Sequence, residues 1–213
     1  MKNFFSELYM NDNNLKVRRI IESDINFLVS IHCASFENFF LTQLGLKFLE
    51  IYYSSVIKSD KGIILGCFDN NELVGFCAAT TLSAGFHKGL IKTNFVAFLL
   101  QGIKILLTKP KALIRLFKNL SKEKDDFEDN GKYAELLSIA TLPEKQGSGI
   151  GKKLLLQLDN ELIENACKEV SLTTDFDNNL NAIEFYKSIG YSVKYEFTTY
   201  PNRKMYRLIK QLQ

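Results

Sequence analysis

The sequence predicts an α/β fold of the α+β kind: a mixed sheet flanked by helices, with a helical pair inserted into it. Three observations carry this expectation. Apolar runs of strand length alternate with segments of helical period in the order β α α β β, insertion, β α β α β β. Asp69-Asn70-Asn71-Glu72 separates two apolar runs and reads as a hairpin turn, so at least part of the sheet is antiparallel. A glycine-rich stretch, Gly147 to Gly151, joins a strand directly to a long helix. A length of 213 residues suits one domain spanning 1–213 with an insertion at about 83–130.

In chain order, Lys16 to Ile21 reads as the first strand, and Ser23 or Asp24 then caps a helix through about Phe36. A second helix is expected from about Leu41 to Val56, with Leu44, Phe48, Leu49 and Tyr52 near helical spacing. Gly62 to Phe68 and Leu73 to Thr81 form the hairpin. The insertion holds two apolar-basic helical patterns, Phe95–Leu107 and Lys111–Leu120, parted at Pro110, which cannot sit inside one straight helix. The polar run 121–132 reads as a loop. Lys132 to Thr141 is a strand, and a helix is expected from Gly147 to about Lys168. Its apolar face would be Ile150, Leu154, Leu155, Leu158, Leu162, Ile163 and Ala166. Val170 to Thr174 is a strand, Asn179 to Ile189 a helix stopped by Gly190, and Tyr191–Thr198 and Lys204–Ile209 close the fold.

Composition narrows the function classes. A chain that is 46% hydrophobic and 24% charged can build a core and is not intrinsically disordered. Cys33, Cys67, Cys77 and Cys167 are scattered, and His32 and His87 are the only histidines, so a zinc site is hard to assemble and reduced thiols are expected. The N-terminal sequence lacks the pattern of an export signal, and no apolar run approaches the about 18 residues of a membrane span. A cytoplasmic location is therefore expected. The net charge of +3 hides an asymmetry: between Glu72 and Glu123 there is no acidic residue but there are eight cations, leaving −5 for the rest. Such a field attracts phosphates or an anionic surface, and it equally describes a solvated basic face. No recognised nucleic-acid-binding motif accompanies it, so a nucleic-acid partner is not expected.

The chemistry-bearing stretch is Leu136 to Lys152, a strand that runs into a glycine-rich loop and then a helix. Glycines clear the Cβ atoms from a close approach, and a helix start offers unpaired N–H groups, so the arrangement seats a phosphate or diphosphate. It is not a Walker A loop, because only three residues separate Gly147 from Gly151 and Lys152 is followed by Lys153. It is not a dinucleotide fingerprint either, whose third glycine would fall at Lys152.

Gln146, Gly149 and Gly151 set out Gln-x-x-Gly-x-Gly, which resembles the coenzyme A signature of the GNAT superfamily of acetyl-CoA-dependent N-acetyltransferases. Asn179-Leu180-Asn181-Ala182-Ile183-Glu184-Phe185-Tyr186-Lys187-Ser188-Ile189-Gly190-Tyr191 is similar to that family's Asn-x-x-Ala-x-x-Phe-Tyr-x-x-x-Gly-Phe helix. The element order agrees with the family fold outside the insertion. The resemblance implies a mostly antiparallel sheet of six to seven strands, splayed at the coenzyme A site, and acetyl-CoA as cosubstrate with no metal.

It also implies roles. Ile139, Ala140 and Thr141 match the strand edge along which pantetheine lies, with the Ile139 N–H placed to stabilise an oxyanion at the thioester carbonyl. Amides of Gln146, Gly147, Ser148, Gly149, Ile150, Gly151 and Lys152 would hold the diphosphate, and the Lys152 side chain could add a charge-assisted contact. Asn179 matches a contact to the pantetheine arm. Tyr186 matches a tyrosine that protonates the departing thiolate, chemistry suited to a phenol. Glu135 resembles the placement of a general base; strand parity puts it on the face of Leu137 and Ile139, and ordered water is the alternative. His87, expected on a loop, is a weaker candidate.

The expected reaction is direct attack by a primary amine in a ternary complex. The preferred acceptor is a small molecule, with the charge asymmetry favouring an anionic one such as a nucleotide-linked amino sugar. A protein or peptide amine is the second reading, and an inactive coenzyme A-binding or membrane-surface module the third. Membrane-surface contact ranks below a small-molecule partner, and a homodimer is left open.

Overall fold

A computed structural model describes residues 15–37, 39–108 and 129–213. Seven strands form one sheet: β1 (Leu15–Arg19), β2 (Gly62–Asp69), β3 (Glu72–Thr80), β4 (Ala134–Thr141), β5 (Glu169–Asp175), β6 (Ser192–Thr199) and β7 (Arg203–Gln211). Their spatial order is β1-β2-β3-β4-β5-β7-β6, and every neighbouring pair is antiparallel except β4 with β5. The mixed, mostly antiparallel sheet expected from sequence is thus present. The helices are α1 (Ile25–Ser35), α2 (Phe40–Gln43), α3 (Leu46–Lys58), α4 (Phe86–Thr93), α5 (Phe95–Thr108), α6 (Ile150–Glu164) and α7 (Leu180–Ser188).

Side-chain alternation along the strands builds two cores. On one face Ile64 and Phe68 of β2 and Phe76 and Ala78 of β3 pack with α1, α3, α4 and Ile105 of α5. On the other, Ile63, Leu65 and Cys67 of β2 and Cys77 and Ala79 of β3 pack under Leu154, Leu155, Leu158 and Leu162 of α6.

Four boundaries differ from the sequence expectation, each for a local reason. The second expected helix is two, because Gly45 at φ +98° breaks it between α2 and α3. The helix after the glycine loop starts at Ile150, since Gly147 and Gly149 both have left-handed φ. It ends at Glu164, so Ala166 (φ +56°) lies beyond it, and Ile163 is exposed. An unforeseen helix, α4, opens the insertion: its Phe86 and Leu90 are four apart and both buried, with Gly85 as a left-handed N-cap. The pattern Lys111–Leu120, the Pro110 break and most of the polar run 121–132 lie outside the described residues.

Candidate active site

The sheet opens between β4 and β5. Their parallel register holds only from Ala134↔Val170 to Leu136↔Leu172. Beyond that β4 stays with β3, through Thr141↔Gly75, while β5 stays with β7, through Asp175↔Met205. The divergence coincides with a bulge: Ala78 pairs Ser138 but Ala79 pairs Leu136, leaving Leu137 as the extra residue. An extra residue bends its strand and raises local twist, which swings β4 away from β5. Along 137–141 the backbone edge that would have met β5 has no strand partner among the described residues and is available to an extended ligand.

The glycine loop stands at the open end of this wedge. Gly147 (φ +80°) and Gly149 (φ +81°) take a conformation that L side chains rarely adopt, and a Cβ at either would meet nothing within 4 Å. Of the seven amides implied by the resemblance, Gln146 N–H donates to Pro143 O and Ser148 N–H to Lys145 O. Those of Gly147, Gly149, Ile150, Gly151 and Lys152 find no acceptor among the described residues. Five free donors over open space, at the positive end of a 15-residue helix, fit a diphosphate. The Lys152 side chain is exposed, and a Cβ on Gly151 would come within 3.3 Å of Phe185, so that glycine lets α7 pack closely on α6.

Ile139 faces this same α6–α7 side, within reach of Gly151 and Phe185. Tyr186 of α7 packs edge-on against Tyr191, and burial raises its phenol to about 12. It therefore keeps its proton throughout the neutral range. Asn179, the N-cap residue of α7, spends its amide nitrogen on the Thr174 hydroxyl (2.5 Å) and the Asp175 carbonyl (3.0 Å). Only its side-chain oxygen is left for a ligand.

Glu135 departs from its expected setting. The bulge resets strand parity: Leu137, like Ala140, packs into the α1–α3 core, whereas Ile139 packs on the α6 side. Glu135 and Ile139 therefore lie on opposite faces. The Glu135 carboxylate accepts from Arg207 at Oε1 and from the Ser83 hydroxyl at Oε2. Arg207 also donates to Ser171 (3.2 Å). Asp129 lies 3.8 Å from the same guanidinium and accepts hydrogen bonds from Tyr133 and Tyr195. Burial pushes the Asp129 carboxyl up, but the two phenols, the Gly131 N–H and Arg207 outweigh it and bring it to about 2. This cluster ties β4, β5 and β7 together at the closed end of the wedge.

Two further groups lie on that face: His87, the weaker candidate from sequence, and a chain headed by His32 that the sequence does not single out. The His87 ring, on α4 rather than a loop, stacks on Tyr52 with Nε2 at 3.4 Å from its hydroxyl. Burial lowers its pKa against the opposing field of Glu135, so it is neutral at pH 7. His32, Tyr53 and Ser138 form a buried chain, His32 Nδ1 to Tyr53 Oη at 2.8 Å and Tyr53 Oη to Ser138 Oγ at 3.1 Å. His32 Nε2 is buried with no partner, and desolvation brings the ring to about 4. A stranded acceptor is cheaper than a stranded N–H, so the proton belongs on Nδ1. Tyr53 then donates to Ser138 beside the bulge.

The mouth of the wedge is bridged on the α1 side. The Ser35 hydroxyl at the end of α1 donates to Thr141 O at the end of β4 (2.9 Å). A few residues on, the Phe39 ring lies 5.1 Å from the guanidinium of Arg203, which grips Asp175 at the end of β5. The α1–α2 link thus spans from one lip to the other.

The family model described as Acetyltransferase (GNAT) family matches residues 25–191. No curated protein matches the sequence. Among solved structures, the chain is similar to a ribosomal-protein-alanine N-acetyltransferase from Brucella melitensis, with TM-score 0.60 and 16% identity over 92% of this chain and 99% of that one. It is similar to the PaiA N-acetyltransferase from Thermoplasma acidophilum in complex with coenzyme A, with TM-score 0.52 and 15% identity over 92% and 98%. A spermidine N-acetyltransferase chimera from Vibrio cholerae and hSSAT gives TM-score 0.59 and 14% identity over 94% and 96%. At these identities the likeness shows the fold.

Proposed function

The chain belongs to the GNAT acetyltransferase family, and on that premise we propose that it transfers an acetyl group from acetyl-CoA to the primary amine of a small molecule. The observation that carries the reading is the meeting of two features at one place: the β4–β5 wedge and the five unpaired amides at its open end. The cosubstrate supplies an electrophilic thioester carbon and a thiolate leaving group.

The chain's own residues do the rest. The Ile139–Thr141 edge aligns the pantetheine arm, with the Ile139 N–H as oxyanion donor. The glycine loop holds the diphosphate, and Asn179 contributes its side-chain oxygen. Tyr186 holds a proton for the departing sulfur; its raised pKa keeps that proton in place until needed. Glu135 is paired with Arg207 and accepts from the Ser83 hydroxyl. In this proposal it orients the ammonium group of the acceptor from the floor of the wedge and passes the proton to water.

The bridge from Ser35 through Phe39 to Arg203 favours a small acceptor over a peptide, since an extended chain needs a groove open at both ends. An anionic acceptor, a nucleotide-linked amino sugar for instance, is the version that the acid-free stretch favours. The test is a panel of free amines, amino sugars and peptides incubated with acetyl-CoA and read by mass. Acetylated small amines with untouched peptides are expected. Turnover on peptides alone overturns the acceptor, and no coenzyme A uptake by calorimetry overturns the whole reading.

A further inference from the structure

Helix α5 presents an apolar face on both sides. One side belongs to the core, where Phe98 packs on Phe48 and Ile105 is 3% exposed. On the other, Phe95, Leu99, Leu100, Ile103, Leu106 and Leu107 are all exposed, Leu107 to 79%. At about 100° per residue these side chains fall within an arc of about 140° that contains no polar residue. A contiguous exposed apolar patch of this kind marks a contact surface.

Charge decides what makes the contact. Lys88 and Lys92 on α4 and Lys104, at the border of the α5 arc, are exposed. The sequence continues through Lys109, Lys111, Arg115, Lys118 and Lys122 without one acidic residue since Glu72. A second copy of the same face would set cation against cation. An anionic bilayer surface complements both the charge and the apolar arc. We propose that α5, with the exposed Lys88, Lys92 and Lys104, docks this protein on anionic phospholipid membranes, lying in the interface with its outer face among the acyl chains.

The 14 described residues of α5 extend about 21 Å, short of a hydrocarbon core of about 30 Å. Among the described residues no single helix is long and apolar enough to cross a membrane, and α4 and α5 meet at 95°. The inner side of α5 is committed to the protein core. Docking by one face is the arrangement left. The sequence ranks membrane contact below other partners because it does not show which apolar residues the core covers; the exposed arc is the observation that favours it here. The inference is independent of the acetyl-transfer reading.

The test is sedimentation of the full chain with vesicles of phosphatidylcholine alone or mixed with phosphatidylglycerol. Partition onto the mixed vesicles is expected, weakened by high salt. Leu99→Glu with Leu106→Glu should reduce it at least about tenfold. These positions are solvent-facing, so the circular dichroism spectrum should be unchanged. Lys92→Gln with Lys104→Gln should reduce binding to mixed vesicles only. The chain has no tryptophan, so Leu100→Trp gives a lone reporter whose emission should shift to the blue on the mixed vesicles and stay unshifted on the neutral ones. Equal partition onto both vesicle types, or none, overturns the proposal. So does a dimer in velocity sedimentation that the Leu99→Glu, Leu106→Glu variant dissolves while vesicles recover nothing.

Discussion

Two tyrosines and a histidine show how burial assigns chemistry to single residues. Tyr186 and Tyr53 are both held protonated by desolvation, but only Tyr186 lies on the α6 side of the sheet, with Ile139. Tyr186→Phe should therefore lower kcat by about one to three orders of magnitude with coenzyme A affinity unchanged, as steady-state kinetics with calorimetry would show. An unchanged kcat removes it from the acid role. His32 carries a different consequence. Its folded pKa of about 4 lies below the ordinary 6.5, so the unfolded chain binds more protons between those values. The stability is fully present above pH 6.5, falls as pH drops toward 4, and levels off below it. The loss is on the order of 3 kcal/mol. His32→Gln, which cannot titrate, should flatten the urea-midpoint profile over that window relative to the parent protein; parallel profiles would place the acid sensitivity elsewhere.

At the scale of elements, the wedge is held shut at one end by Arg207 and open at the other by the bulge. Arg207→Met leaves the half-buried Glu135 and Asp129 without their cation and should destabilise the protein by about 2–4 kcal/mol. Adding Glu135→Leu should recover part of that loss in urea unfolding, and a double variant no better than the single would deny the coupling. Much of this arrangement is legible in sequence. The strand–glycine–helix run, the α7 motif and the hairpin turn are local, so spacing and residue type reveal them. What escapes is what contact alone creates. Arg207 meets Glu135 across 72 residues, and Ser138 meets Tyr53 across 85. The bulge at Leu137 has no local signature, and it alone moves Glu135 to the face opposite Ile139. The short helix α4 is masked by Gly85 and Gly89, which read as loop until Phe86 and Leu90 find the core.

For the molecule as a whole, the wedge means that two half-sheets, β1–β4 and β5–β7, share a register of only three residue pairs. They are also tied by the core they share under α6, by the Arg207 cluster beneath and by the Phe39–Arg203 bridge above. A ligand lying along the β4 edge while its diphosphate sits on the α6 amides would bind the native state and not the unfolded chain. At a hundredfold excess over Kd, such linkage contributes about 2.7 kcal/mol. For a chain of this size that raises Tm by about 5–10 °C. Coenzyme A should produce such a shift, and amide exchange should slow at 139–141 and 173–175, on the two facing edges, more than in the distant edge strand 15–19. Gly149→Val should abolish both effects, because φ +81° excludes a branched residue and the side chain would fill the seat. If the parent protein shifts in Tm but slows exchange only around 147–152, the diphosphate is held while the arm lies outside the wedge, and the alignment role assigned to Ile139–Thr141 is withdrawn.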